Sequence, residues 1–140
     1  MSSLDLPVVL DADGISAGVE RAQTWLEKDA GVDARAAMHV ALTLDELLTN
    51  AATHGGAQGR EAQVRLEVEA DRVGVEITDP AAPYDPRQAP EPDVDASLEQ
   101  RPVGGLGVHL VMKLSRDLAY SRDKDRNRTH YWIARSVLQD

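Results

Sequence analysis

"LDELLTNAATHGG" (residues 44–56) is the stretch on which the reading of this chain turns. At 100° per residue, Ala37, Val40, Leu44, Leu47, Leu48 and Ala51 line up as the apolar stripe of a core helix. His39, Thr43, Glu46, Asn50, Thr53 and His54 fall together on an adjacent stripe, and Met38 and Leu42 are expected to close its other flank. A carboxylate and a carboxamide thus sit one turn apart, about 6 Å, with apolar neighbours on both sides. A solvent-facing i,i+4 pair has this pattern. So does the floor of a binding site, and the surrounding segments have to decide.

Upstream, Leu4, Leu6, Val8 and Leu10 alternate and predict an opening strand. Ile15, Val19, Ala22 and Leu26 then repeat at helical spacing. Gly31 is a stop, and Asp33 can cap the second helix, which runs from roughly Ala34 to His54. Downstream, Val64, Leu66 and Val68, then Val73, Val75 and Ile77, predict two strands joined through "ADR". Glu67 and Glu69 on the opposite side of the first imply a sheet with one wet face. Residues 80–102 hold six of the seven prolines and form a long loop. "GGLGVHLVMKLS" restarts a helix with Leu106, Leu110, Leu114 and Val111 as its stripe. "DLAYSRD" and "RTHYWIARS" close the chain as a hairpin around "KDRN". This order predicts an α/β chain of the α+β type: a two-layer sandwich, with a mixed, mostly antiparallel sheet covered by helices on one face.

With 140 residues, 42% hydrophobic and 28% charged, the chain fits a single domain, 1–140, with one core. No apolar run approaches the ~20 residues of a membrane helix. "MSSLDLPVVLDADG" has no signal-peptide pattern. The absence of cysteine excludes disulfides and thiol-based metal or redox chemistry, and fits a cytoplasmic location. The net charge of −9 argues against direct nucleic-acid binding and leaves room for a basic protein partner.

Two more segments carry chemistry. Asp79 ends the strand "VGVEIT", where it can open an Asp-Pro turn or accept a hydrogen bond from a ligand amino group. Gly104, Gly105 and Gly107 precede a helix, so Gly104, Gly105, Leu106, Gly107 and Val108 can present amides to phosphate. No Gly-Lys-Ser/Thr follows, and no strand precedes, so this is neither a P-loop nor a Rossmann turn. "KDRNRT" (124–129) reads as a hairpin turn.

Together these segments resemble the GHKL superfamily, the Bergerat ATP-binding fold, and within it the anti-sigma-factor serine/threonine kinases. "DELLTNAATHG" is similar to the N box, "EITDPAAPYDP" to the first glycine box and "VGGLGVHLVMKLSRDLAYSRD" to the second. Ala81 stands where the first box has glycine, and "DKDRNRT" lacks the glycine before its asparagine. The resemblance implies a histidine-kinase-like ATPase domain using ATP and Mg²⁺. Glu46 would be the catalytic base and Asn50 the Mg²⁺ ligand. Asp79 would read adenine, with His54, residues Gly104 to Val108 and Thr129 completing the nucleotide site and residues 80–103 forming the ATP lid. It implies that the protein binds a sigma factor or comparable regulator and phosphorylates a serine of an anti-anti-sigma (STAS-like) antagonist, and it admits a homodimer. A non-catalytic ATP-binding switch of the same fold is the alternative. A histidine-kinase catalytic half fits less well, because there is no room for a phosphoacceptor domain.

Overall fold

The computed structural model describes residues 2–88 and 105–135. In chain order these form β1 (Ser2–Val9), α1 (Ala12–Lys28), α2 (Ala34–Ala52), β2 (Glu61–Val68), β3 (Arg72–Asp79), a 3-10 turn at Pro86–Gln88, α3 (Gly105–Leu114), β4 (Arg116–Asp123) and β5 (Arg126–Ala134). The strands form one sheet in the order β1-β2-β3-β5-β4. Every pairing among the described strands is antiparallel, so the expected parallel component does not appear there.

Period-two patterning decides which face is covered. Leu6, Val8, Val64, Leu66, Val73, Val75, Ile77, Tyr131 and Ile133 are all buried. On the other face Arg65 bridges Asp5 at 2.7 Å and Glu67 at 2.9 Å, and Arg128 meets Glu76 at 3.1 Å. Gly74 is needed on that face: a Cβ there would stand 2.8 Å from the Trp132 ring. That ring also takes the Arg72 guanidinium at 5.0 Å.

Both helices that open the chain start on aspartate caps. Asp11 accepts from the Gly14 N–H at 2.7 Å, and Asp33 from the Ala36 N–H at 2.8 Å. Gly31, at φ 68°, makes the break between them. The six predicted core positions of α2 are all buried. Met38 and Leu42 are not walls of the polar stripe: they are 44% and 42% exposed. α1 packs along one flank of α2 and α3 along the other, which leaves these two on the outer crest. In α3 Val108 and Val111 are buried and Leu114 packs partly buried against the core, whereas Leu110 faces solvent. The final turn is also tighter than expected. Lys124, at φ 57°, starts it, and Arg126 and Asn127 already pair in β5.

One buried hydrogen bond couples the two layers. The Tyr131 hydroxyl, on β5, donates to Thr43 Oγ1 at 2.8 Å, and Thr43 in turn donates to the Val40 carbonyl at 2.9 Å. Thr43 shares the stripe of Glu46 and Asn50, so this tether fixes the rotation of α2 about its axis. The two partners should respond unequally to removal. Tyr131→Phe leaves Thr43 bonded to its own helix and should cost about 1 kcal/mol. Thr43→Val strands a fully buried hydroxyl and should cost about 1–3 kcal/mol. Urea denaturation of both variants measures the difference, and Thr43→Val should be the less stable of the two.

Candidate functional site

The site grows from the contact between α2 and α3. Glu46 lies half-buried on α2, and a Cβ built on Gly107 of α3 would overlap its carboxylate. Any side chain at residue 107 would force the Glu46 carboxylate to move away. Burial pushes the Glu46 carboxyl above its usual range, and the neighbouring Asp45 adds to the effect. The Asn50 carboxamide and His54 act in the opposite direction without cancelling it. Tyr84, in the segment after β3, has its own hydroxyl pushed up by burial and then by the charge of Glu46, which places that segment near the same carboxylate.

Asp79 forms a second centre at the end of β3. Its Oδ1 accepts from the Ala81 N–H at 3.0 Å and from Asn127 Nδ2 at 3.1 Å. The turn reading of this residue therefore holds. One oxygen closes the Asp-Pro turn, and Oδ2 has no partner among the described residues. Gly55 joins the two centres. Its N–H donates to the Asn50 carbonyl at 2.8 Å, and its carbonyl accepts from the Ala82 N–H at 3.0 Å. A Cβ on Gly55 would stand 2.6 Å from the Ala81 Cβ. The methyl group of Ala81 is thus accommodated by a bare Cα opposite it, and Ala81 is buried.

Of the residues singled out in the sequence, Glu46 and Gly107 touch, and Asn50 and His54 lie close enough to shift Glu46. Val108 is buried beside them on α3, and Gly105 opens that helix. Thr129 is buried on β5 opposite Ile77, two residues from Asn127. Gly104 and most of the expected lid, residues 89–103, lie outside the described residues, as do the side-chain surroundings of Leu106. The 3-10 turn at Pro86–Gln88 begins from Asp85, which holds Arg87 at 2.8 Å and is thereby drawn below the usual carboxylate range.

Sequence reasoning missed Asn127, Tyr120, Arg122 and Gly55. Asn127 was read as part of a turn, yet it sits directly across from Asp79 in the β3–β5 pairing. The signal that could have found it is an asparagine in the first residues of a strand, where a turn no longer needs one.

The histidine kinase-like ATPase domain family matches residues 10–131. The chain belongs to that family. This histidine kinase-like ATPase domain is 35% identical over 103 residues to the serine/threonine-protein kinase BtrW of Bordetella bronchiseptica, covering 70% of this chain and 72% of BtrW. The fold is shared with the RsbU and RsbW domains of Rv1364c from Mycobacterium tuberculosis, at a TM-score of 0.67 and 12% identity, over 97% of this chain and 34% of that one. This chain therefore spans about a third of that larger chain. It is also shared with the SiaB–SiaC complex from Pseudomonas aeruginosa, at a TM-score of 0.62 and 18% identity, over 93% of this chain and 88% of that one.

The raised pKa of Glu46 makes a prediction about stability. Well below the ordinary carboxylate value of 4.5 the group is neutral in folded and unfolded states alike, and its burial costs little. As pH rises from there through the raised folded-state pKa, folding must accommodate a partly dehydrated charge, and stability falls. Glu46→Gln should remove that loss. The variant should be more stable than the parent at pH 7, by about 1 kcal/mol or less because water still reaches the group, and no more stable at pH 3.5. Melting temperatures at the two pH values measure this.

Proposed function

We propose that this domain is an anti-sigma-type protein kinase that transfers the γ-phosphate of ATP to a serine of a STAS-like antagonist. The observation that carries the reading is the Glu46 carboxylate, pressed against the bare backbone of Gly107 and raised by burial, beside Asn50. A proton acceptor with a raised pKa at a glycine-bearing helix start is what in-line attack on a phosphate requires. The membership of the histidine kinase-like ATPase family and the likeness to a serine/threonine kinase support the choice of ATP and of a protein hydroxyl.

The residues fit the nucleotide and its metal. The Asn50 carboxamide oxygen is a hard donor of the kind a Mg²⁺ ion accepts, and no cluster of three His, Cys, Asp or Glu competes for the ion among the described residues. When bound, Mg²⁺ neutralises charge on the phosphates. The chain's own residues do the rest. Glu46 takes the proton from the serine hydroxyl as its oxygen bonds to the γ-phosphorus. The bond from that phosphorus to the β–γ bridging oxygen breaks, and ADP leaves with the electron pair. Asp79 Oδ2, without a partner among the described residues, accepts from the adenine amino group. Backbone amides at residues 104–108 hold phosphate oxygens, and residues 80–103 close over the nucleotide. Thr129 and His54 line the same pocket.

A sigma factor or comparable regulator is the second partner in this reading, supported by the RsbW-like fold and by a net charge of −9 suited to a basic protein. The Ala81 departure does not favour a non-catalytic switch, because Gly55 makes room for the methyl group and Asp79 still closes its turn onto the Ala81 N–H.

Transfer of labelled phosphate from ATP to candidate antagonists tests the reading. The parent should label one antagonist on serine. Glu46→Gln should lose about 10²–10⁴-fold in rate with ATP affinity nearly unchanged. Asn50→Ala should lose both binding of Mg²⁺–ATP and transfer. Parental transfer rates in Glu46→Gln would remove Glu46 as the base. Tight ATP binding with no transfer to any antagonist would leave a binding module.

A further inference from the structure

A hydrogen-bonded lock lies behind Asp79, centred on Asn127, which lies outside the two glycine boxes. Asn127 Nδ2 donates to the Ala82 carbonyl at 2.9 Å and to Asp79 Oδ1 at 3.1 Å, and lies 3.3 Å from the Ala81 carbonyl. Asn127 Oδ1 accepts from Arg122 at 3.1 Å and from the Tyr120 hydroxyl. The Arg122 guanidinium also donates to the Ala81 carbonyl at 2.7 Å. Tyr120 accepts the Tyr84 N–H at 3.3 Å. Asp79 and Asn127 are both buried.

The chemistry of the neighbours fixes which way the Asn127 amide points. Arginine has only donors, so the atom facing Arg122 must be the carboxamide oxygen. The Ala82 carbonyl only accepts, so the atom facing it must be the nitrogen. The amide therefore cannot flip without setting a donor against a donor and two oxygens against an oxygen. With that orientation imposed, Asp79 Oδ1 receives two N–H groups, one from Asn127 and one from Ala81. Its capacity on the buried side is used, and the carboxylate has no reason to rotate.

We propose that Asn127 is the residue that sets base specificity at the nucleotide site. It does so as a positioning residue, by locking the Asp79 carboxylate so that Oδ2 alone is offered to the ligand. This rests on the nucleotide reading above. A lone, oriented carboxylate oxygen accepts from a purine that carries an amino donor at this edge, as adenine does. It repels one that carries a carbonyl there, as guanine does. A carboxylate free to swing would discriminate less, since a water could intervene between it and the carbonyl. The lock also ties the segment after β3, from Ala81 to Tyr84, to the β4–β5 hairpin, so base reading and the entrance to the loop share one set of bonds.

The test is calorimetric titration of ATP and of GTP, each with Mg²⁺, into the parent, Asn127→Ala and Tyr120→Phe, with melting curves for each. The parent should prefer ATP. Asn127→Ala should weaken ATP about 10-fold, the worth of a charge-assisted bond, and GTP much less, so that the ratio of the two affinities falls. Tyr120→Phe removes only a hydroxyl on an edge strand. It should shift the ratio in the same direction by about 2–3-fold, and it decides the matter if Asn127→Ala does not fold. Equal loss of ATP and GTP in the folded variants would reduce Asn127 to structural support and overturn the inference. So would an unchanged ratio, or a parent that binds the two nucleotides equally. A parent that binds neither nucleotide would instead overturn the nucleotide reading itself, and this inference with it.

Discussion

Glu46 occupies its position only because residue 107 has no side chain. The same bare backbone is the side that α3 turns toward α2. With Gly107 turned toward α2, Val108 and Val111 are carried into the core, and Leu110 is carried out of it. It also sets the electrostatics, because the approach of the second helix removes water from one side of the carboxylate. The site and the packing of the helical layer are thus one arrangement. Stability is given up at Glu46 to hold a carboxylate partly dehydrated, the position that the proposed proton transfer would use.

α2 has to be a core helix and a site wall at once. Its six apolar positions would be satisfied by a range of small rotations, since hydrophobic burial is not directional. The Tyr131–Thr43 bond is directional, and it selects one rotation. Asn127 does the corresponding work at the other centre, where a buried amide turns a mobile carboxylate into an oriented one. In both places a strand of the sheet supplies the fixed point: Tyr131 and Asn127 lie four residues apart on β5. That strand sits between β3 and β4, held on both edges.

The parts of this arrangement that follow from local patterning could be read in advance. Alternation in β1, β2 and β3, the six-residue stripe of α2 and the Asp33 cap all rest on neighbours in sequence, and all were legible. The pairing of Glu46 with Asn50 was legible for the same reason, since one helix carries both. What could not be read depends on contacts between distant segments. The exposure of Met38 and Leu42 depends on where α1 and α3 dock. The inward face of α3 depends on Gly107 meeting a residue 61 positions earlier. Asn127 reaches Asp79 across 48 positions, so "KDRNRT" can mark the asparagine as out of place but cannot name its partner. The sheet proved antiparallel throughout its described pairings because β5 returns beside β3, a topological fact with no local signature.

The layering leaves the sheet with a side that the site does not use. Arg65, Asp5, Glu67, Arg128 and Glu76 pair with one another there, and the helices and both centres lie behind it. Substitutions on such a surface are close to neutral for stability. The chain contains no cysteine, so a single thiol placed at Gln63, exposed in the middle of β2, would be a unique attachment point. A fluorophore or a solid support joined there would hold the molecule by its back and leave the helical layer and both centres open.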